Sequence, residues 1–328
     1  MSVLVTGGAG YIGCHMVIDL LNAGEEVVVI DNLTTGFDWA VQNAGKLYVG
    51  DIADDALVSR IIAGHKVEAV IHFAGSVIVP ESVSDPLKYY LNNTAKSRSL
   101  IETCVRAGVK HFIFSSTAAV YGMPDAASVN EDVPLNPMSP YGRSKLMTEW
   151  MLRDMAAAHD MTFAALRYFN VAGGDPEGRV GQSTANATHL IKVACQTALG
   201  IRDHMDVFGD DYPTVDGTCV RDYIHVSDLA AAHTAALTYL RQGGESIIAN
   251  CGYGHGFSVK QVIEAVERAA GHGFTVKSAP RRPGDPASVV SDPTRAKTVL
   301  GWKPQYDDLD QIVTHALNWE NHLRKRNA

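Results

Sequence analysis

The sequence predicts an α/β fold, a doubly wound parallel sheet accompanied by a smaller C-terminal α/β substrate domain. Short β-branched runs alternate with longer helix-period segments, a pattern that builds βαβ units and a sheet covered on both faces. A glycine triplet follows the first run directly. After Asn170 the composition turns to Gly, Asp, Pro and Thr, which marks a second lobe.

In chain order, SVLVTG is the first strand, and a helix runs from the glycines to Ala23. EVVVID follows, then a further strand ending before VGDIAD, then EAVIHFAG, HFIFSS and FAALRYFN. The loops AGGDPEGRVGQ and FGDDYPTVDGT belong to the second lobe. VRDYIHVSDLAAAHTAALTYL and ESIIANCG are regular enough to return to the main sheet. The expected division is therefore 1–170 for the first domain, with returning segments near 220–250, and 171–328 mainly for the second, the two interleaved.

The 328 residues are 46% hydrophobic and 20% charged, the composition of a globular chain with a sizeable core. A net charge of −8 offers no attraction to nucleic acid or to an anionic membrane, so neither is an expected partner. The basic end, LRKRNA, is expected to be a solvated tail. Five cysteines, widely spaced and without C-x-x-C, suggest neither a disulfide framework nor a zinc site, and a reducing cytoplasm fits them. No ligand spacing among the histidines points to a metal. No charged leader with an apolar run precedes the first strand, so the chain is expected to be neither exported nor anchored.

In TGGAGYIG, Gly7, Gly10 and Gly13 stand after a strand and open a helix. Glycine there permits a tight turn and close approach of a pyrophosphate, whose charge sits on the helix N-terminus beside Tyr11 and Ile12. Asp31 ends a strand roughly 20 residues on, where a carboxylate suits adenosine ribose hydroxyls and repels a 2′-phosphate; with Asn32 it favours NAD over NADP. Asp51 and Ile52 are placed to reach the adenine, although Asp51 also suits a helix N-cap before DDALVSR.

SPYGRSK places Tyr141 and Lys145 four apart, with Ser139 as N-cap and Pro140 in the first turn, so both side chains share a helix face. A free phenol titrates near 10. A lysine ammonium and a cationic nicotinamide nearby would bring it toward the range of a working base.

These segments together resemble the extended short-chain dehydrogenase/reductases that act on nucleotide sugars, and within them the sugar 4-epimerase branch. The resemblance covers nearly the whole chain, including PESVSDPLKYYLNN, FSSTAAVYG, LRYFNVAG, FGDDYPTVDGTCVRDYIHVSDLA and PRRPGD. It implies a Rossmann domain, a smaller substrate domain with the active site between them, and a homodimer formed through helices near 85–107 and 139–158. The implied activity is inversion of carbon 4 of UDP-glucose and UDP-galactose through a 4-keto sugar with bound NAD.

The resemblance also implies roles, residue by residue. Tyr141 is the base, Lys145 binds the nicotinamide ribose, and Thr117 hydrogen-bonds the sugar oxygen where many relatives have serine. Phe73, Ala74 and Gly75 line the cofactor, with Asn92 and Ser115 as polar contacts and Tyr168 and Phe169 as the wall beside the nicotinamide. Asn170, His189, Leu190 and Phe208 contact the substrate, Arg221 and Arg282 clamp its pyrophosphate, and Asp285 meets the uridine ribose. Val77 and His189 depart from relatives that carry lysine and asparagine there. Val289 stands where some members have tyrosine, and its smaller volume implies room for an N-acetylated sugar.

Members that dehydrate sugars carry an Asp-Glu pair after the hydroxyl residue, because eliminating water needs a second acid and base. Here Ala118 and Ala119 follow Thr117, which leaves oxidation and reduction at carbon 4. A pentose or uronic acid epimerase, a sugar-nucleotide dehydrogenase and a non-catalytic NAD-binding protein are the alternatives.

Overall fold

The computed structural model describes residues 2–41, 46–124, 126, 128–185, 187–282 and 285–326. Its central sheet has seven strands: β1 (Ser2–Thr6), β2 (Glu26–Asp31), β3 (Lys46–Val49), β4 (Val67–His72), β5 (His111–Ser115), β6 (Thr162–Tyr168) and, on the far edge, Ile247–Cys251. The order across the sheet is Ile247–Cys251, β6, β5, β4, β1, β2, β3, and every pairing is parallel.

Successive residues of one strand feed opposite faces, which explains why the strands are continuously apolar. Val3 and Val5 join one core cluster with Val27 and Val29; Leu4 joins the other with Val28 and Ile30. Helices α1 (Tyr11–Asn22), α2 (Asp55–His65), α3 (Val79–Ser84), α4 (Pro86–Tyr89), α5 (Lys96–Arg106) and α6 (Pro140–Ala158) connect the first six strands. A π-helical turn over Tyr90–Ala95 joins α4 to α5.

The chain runs outward through β1, β2 and β3, then returns to β4 on the other side of β1. At such a reversal the loops leaving the two central strands part, and a crevice opens beyond their carboxyl ends.

Beyond Tyr168 the chain makes small sheets around further helices. Strand β7 (Asn170–Ala172) pairs with β10 (Tyr223–His225), β8 (Met205–Phe208) pairs with β13 (Val276–Ala279), and β9 (Val220–Arg221) lies between β12 (Phe257–Ser258) and β14 (Ser288–Val289). The edge strand of the main sheet is β11 (Ile247–Cys251). The helices are α7 (Leu190–Ala198), α8 (Val226–Arg241), α9 (Val259–Ala270), α10 (Thr294–Thr298) and α11 (Leu309–Arg326).

Two expectations change. Strand β10 does not enter the main sheet, because β7 continues past the break at Phe169 and takes its edge; of the two returning segments, α8 packs onto that sheet and β11 joins it. The basic end is not a tail through Arg326: Leu323–Arg326 form the last turn of α11, where cations suit the helix dipole. Arg326 lies 4.0 Å from the centre of the Trp39 ring. Asn327 and Ala328 fall outside the described residues. All five cysteines are buried and free, and no helix among the described residues is long and apolar enough to cross a membrane.

Candidate active site

The glycine loop lies at the crevice between β1 and β4. Gly7 has φ +69°, and a Cβ there would stand 2.6 Å from the Ala74 nitrogen. The loops after the two strands therefore touch backbone to backbone: Phe73 and Ala74 border the glycine turn, and Gly75 faces Asn93 and Lys145. A Cβ on Gly13 would meet the Gly7 carbonyl at 2.1 Å, so the first turn of α1 sits directly on the loop. Gly10 is the N-cap and brings no side-chain bond, which leaves the amides of that turn available to an anion. The Tyr11 hydroxyl is turned away, donating to the Gly173 carbonyl at 2.8 Å, and Ile12 packs into the core.

Asp31 accepts from the Ala9 amide at 3.0 Å and the Leu33 amide at 2.8 Å, which aims its carboxylate across the mouth of the loop. Burial raises its pKa, and the two amides oppose that rise. Asn32 beside it is taken up locally, accepting from Thr34. Asp51 does not cap α2; Asp54 does, accepting from the Leu57 amide at 2.9 Å. Burial alone would raise the Asp51 pKa, but bonds from Lys96 at 2.5 Å and the Ala53 amide at 2.9 Å leave it lowered. Ile52 is buried with Val58 beneath. A glycine cradle, an uncapped helix turn and an acid at the end of β2 fit a dinucleotide.

Across the crevice, α6 begins as its sequence implies. Ser139 accepts from the Gly142 amide at 3.2 Å and Pro140 opens the helix. Tyr141, 7% exposed, and Lys145 follow on one face. The Lys145 ammonium donates to the Ser115 carbonyl at 2.9 Å, and the Ser115 hydroxyl pairs with the Tyr168 hydroxyl at 2.7 Å. The tip of β5, the end of β6 and α6 thus converge.

Thr117 caps the short turn that follows β5, its oxygen accepting from the Ala119 amide at 3.1 Å. That bond uses an oxygen lone pair and leaves the hydroxyl proton free on the side of Tyr141, whose pKa Thr117 lowers.

The protein's own side chains set the electrostatics of the pair. Burial raises the Tyr141 pKa and only Thr117 opposes it. Lys145 is pushed down to about 8 by burial, with Glu149 pulling the other way. The protein alone keeps the phenol protonated at neutral pH, so a positive charge arriving beside it is needed to make a base.

Three residues that the motifs did not single out hold this cluster. Asn93, not Asn92, is buried: its carbonyl oxygen accepts from the Ser76 amide at 2.7 Å, and its nitrogen donates to the Ser76 carbonyl and the Ser144 hydroxyl. Asn92 reaches only the Ser76 hydroxyl. Glu149, one turn beyond Lys145, takes two bonds from Arg167, at 2.9 and 2.6 Å, and one from Ser116. The spacing Tyr141, Lys145, Glu149 was the available sequence signal, and nothing in the sequence separates Asn93 from Asn92.

The substrate-side residues fall into two groups. Asn170, His189 and Leu190 line one shallow cleft that opens to solvent. Phe169 and Val289 pack with Ala118, Val120 and Tyr121 beside the catalytic turn. Val289 is paired with Arg221 across β14 and β9. Arg221 is ion-paired with Asp285, so the two expected contacts grip each other, and Arg282 stacks 3.8 Å from the centre of the Phe208 ring. Among the described residues no cluster of His, Cys, Asp or Glu is arranged to hold a metal.

The arrangement can take a proton from an alcohol at Tyr141 while a dinucleotide in the glycine cradle lies across from it. Ala118 and Ala119 present no second acid.

The model of the NAD dependent epimerase/dehydratase family matches residues 3–252. The UDP-glucose 4-epimerase of Azospirillum brasilense is 54% identical over 98% of this chain and 93% of its own length. A crystal structure of UDP-glucose 4-epimerase from Brucella ovis in complex with NAD superposes with a TM-score of 0.94 at 43% identity, covering 96% of this chain and 97% of that one. The UDP-Glc/GlcNAc 4-epimerase of Campylobacter jejuni gives 0.87 at 48% identity, over 98% and 99%. With a matching family model over most of its length and relatives this similar end to end, the chain belongs to the NAD dependent epimerase/dehydratase family.

Proposed function

We propose that this protein interconverts UDP-glucose and UDP-galactose by inverting carbon 4 through a transient 4-keto sugar with NAD bound. One observation carries the reading: Tyr141, Thr117 and Lys145 converge at a dinucleotide cradle with alanine, not carboxylate, at positions 118 and 119.

Bound NAD supplies redox chemistry at carbon 4, oxidising the sugar and then reducing it with no net change in the cofactor. Tyr141 takes the proton from the 4-hydroxyl and later returns it, and Thr117 donates to the same oxygen. Lys145, fixed on Ser115, orients the nicotinamide ribose and supplies positive charge beside the phenol. Arg221, Arg282, His189 and Asp285 hold the UDP portion, Arg221 exchanging Asp285 for phosphate oxygens. Phe169 and Val289 offer the hexose an apolar wall, so it can turn between the two half-reactions while binding energy is spent at the diphosphate. Residues 1–170 with α8 and β11 form the cofactor half, and the remainder forms the substrate half.

UDP-glucose incubated without added NAD is expected to yield UDP-galactose to equilibrium, with no accumulation of reduced nicotinamide. Stoichiometric reduction of NAD, or conversion of pentose or uronic acid nucleotides alone, would point to the other readings.

The same reading includes a homodimer in a reducing cytoplasm, which five free thiols suit. Val83, Leu87 and Leu91 recur every fourth residue and are exposed at 65%, 76% and 59%, and Trp150 on the adjoining α6 is exposed at 51%. Apolar side chains so placed are the kind that a second copy covers. Light scattering at micromolar concentration is expected to give twice the 35.3 kDa chain mass, and Leu91→Glu with Trp150→Glu to give the single mass. A monomeric parent would refute the dimer.

A further inference from the structure

We propose that Gln182 is a positioning residue for substrate binding: its side-chain amide holds His189 in the tautomer whose Nε2–H donates to the diphosphate. This rests on the reading above that His189 meets the diphosphate.

The geometry begins with a single contact. The Gln182 amide nitrogen lies 2.7 Å from His189 Nδ1. An amide nitrogen only donates, so Nδ1 accepts, and the proton of a neutral ring is left on Nε2. Among the described residues no partner takes Nε2, and both side chains line the same solvent-open cleft. An anionic oxygen requires a donor; the opposite tautomer would turn a lone pair toward it. Burial and the Lys192 ammonium lower the His189 pKa, which keeps the ring neutral and makes the choice of tautomer matter.

Gln182 is itself fastened. It is 8% exposed, and its backbone carbonyl accepts from the Lys192 ammonium at 2.6 Å. Lys192 is ion-paired with Glu320 of α11, and the other Glu320 oxygen accepts from Gln196 at 3.1 Å. On either side of Gln182, the Ser183 hydroxyl accepts from Trp319 Nε1 at 3.2 Å, and a Cβ on Gly181 would meet the Trp319 ring at 2.3 Å. Two charges buried this deeply are costly unless each is paired and hydrogen-bonded, as here. Their placement gives 181–183 a single shape, anchored to the C-terminal helix more than 130 residues away in sequence. A loop free to shift would leave the histidine free to choose its tautomer.

Gln182→Met in the holoenzyme keeps the side-chain length and the backbone carbonyl that Lys192 takes, and removes the donor. It is expected to raise the Kd for UDP and the KM for UDP-glucose roughly five- to tenfold, the scale of one ordinary net hydrogen bond, with kcat changed less than about twofold. Nitrogen NMR of the histidine-labelled parent is expected to show His189 protonated at Nε2; protonation at Nδ1 would overturn the proposal without any variant. His189→Leu separates the two levels of the argument. If it leaves UDP affinity unchanged, His189 does not meet the diphosphate and both readings fall. If it weakens UDP while Gln182→Met does not, or if Gln182→Met weakens UDP equally in the His189→Leu background, Gln182 does not act through His189.

Discussion

Tyr141→Phe is expected to lower turnover of UDP-glucose by about 10²- to 10⁴-fold, the range spanned by loss of a positioned proton-transfer group, with UDP and NAD affinity retained. The substitution removes one oxygen from a ring that is buried against Tyr89, edge to face at 6.4 Å between centroids, so the packing of α6 is kept. Its consequence is chemical: no other group at the turn can take the proton, since the neighbouring positions are Ala118 and Ala119. The nearest buried carboxylate on the same helix, Glu149, is committed to Arg167 and Ser116. Steady-state kinetics with UDP-glucose, alongside calorimetric binding of UDP, decide the matter. Turnover within a few-fold of the parent would remove Tyr141 from the chemistry, whereas a parallel loss of UDP binding would show that the hydroxyl is structural.

Most of this site was legible because its parts are local. A glycine turn, an acid at the end of the next strand, and a serine-proline helix start with Tyr and Lys four apart are each decided within a few residues. Their backbone consequences are the ones observed at Gly7, Gly13, Asp31 and Ser139. The alternating apolar runs gave the parallel sheet for the same reason, since both faces of β1 and β2 are buried.

What escaped the sequence depends on distant partners. Asn92 and Asn93 are equivalent as letters, and only the π-turn decides which one faces the Ser76 loop and Ser144. The Glu149–Arg167 pair links α6 to β6, and Lys192–Glu320 links α7 to α11, each joining charges that sequence treats as surface residues. Tyr223–His225 has the composition of a core strand, but which edge it joins is settled by where β7 ends up. The burial that opposes a lowered phenol pKa was hidden for a related reason. Burial of Tyr141 and Lys145 together acts on both, raising one and lowering the other, and only the folded site reveals its size.

Val289→Tyr is expected to cut turnover of UDP-N-acetylglucosamine at least about tenfold while UDP-glucose turnover stays within about threefold, a difference of roughly 1–3 kcal/mol in one substrate alone. Val289 packs in the cluster with Ala118 and Phe169, beside the turn that carries Thr117, and is registered opposite Arg221. It therefore stands between Arg221 and the turn that carries Thr117, and the prediction places the 2-substituent of a bound hexose there. A small residue there leaves volume, and a phenol would fill it. Steric exclusion discriminates more surely than a lost contact, because the close-packed neighbours Val120, Tyr121 and Leu146 leave the ring little room to retreat. The decisive quantity is the ratio of kcat/KM for the two nucleotides in parent and variant, since a general loss of stability lowers both alike. If the parent ignores the acetamido sugar, or the tyrosine leaves the ratio unchanged, the space beside Val289 is not the one that the 2-substituent occupies.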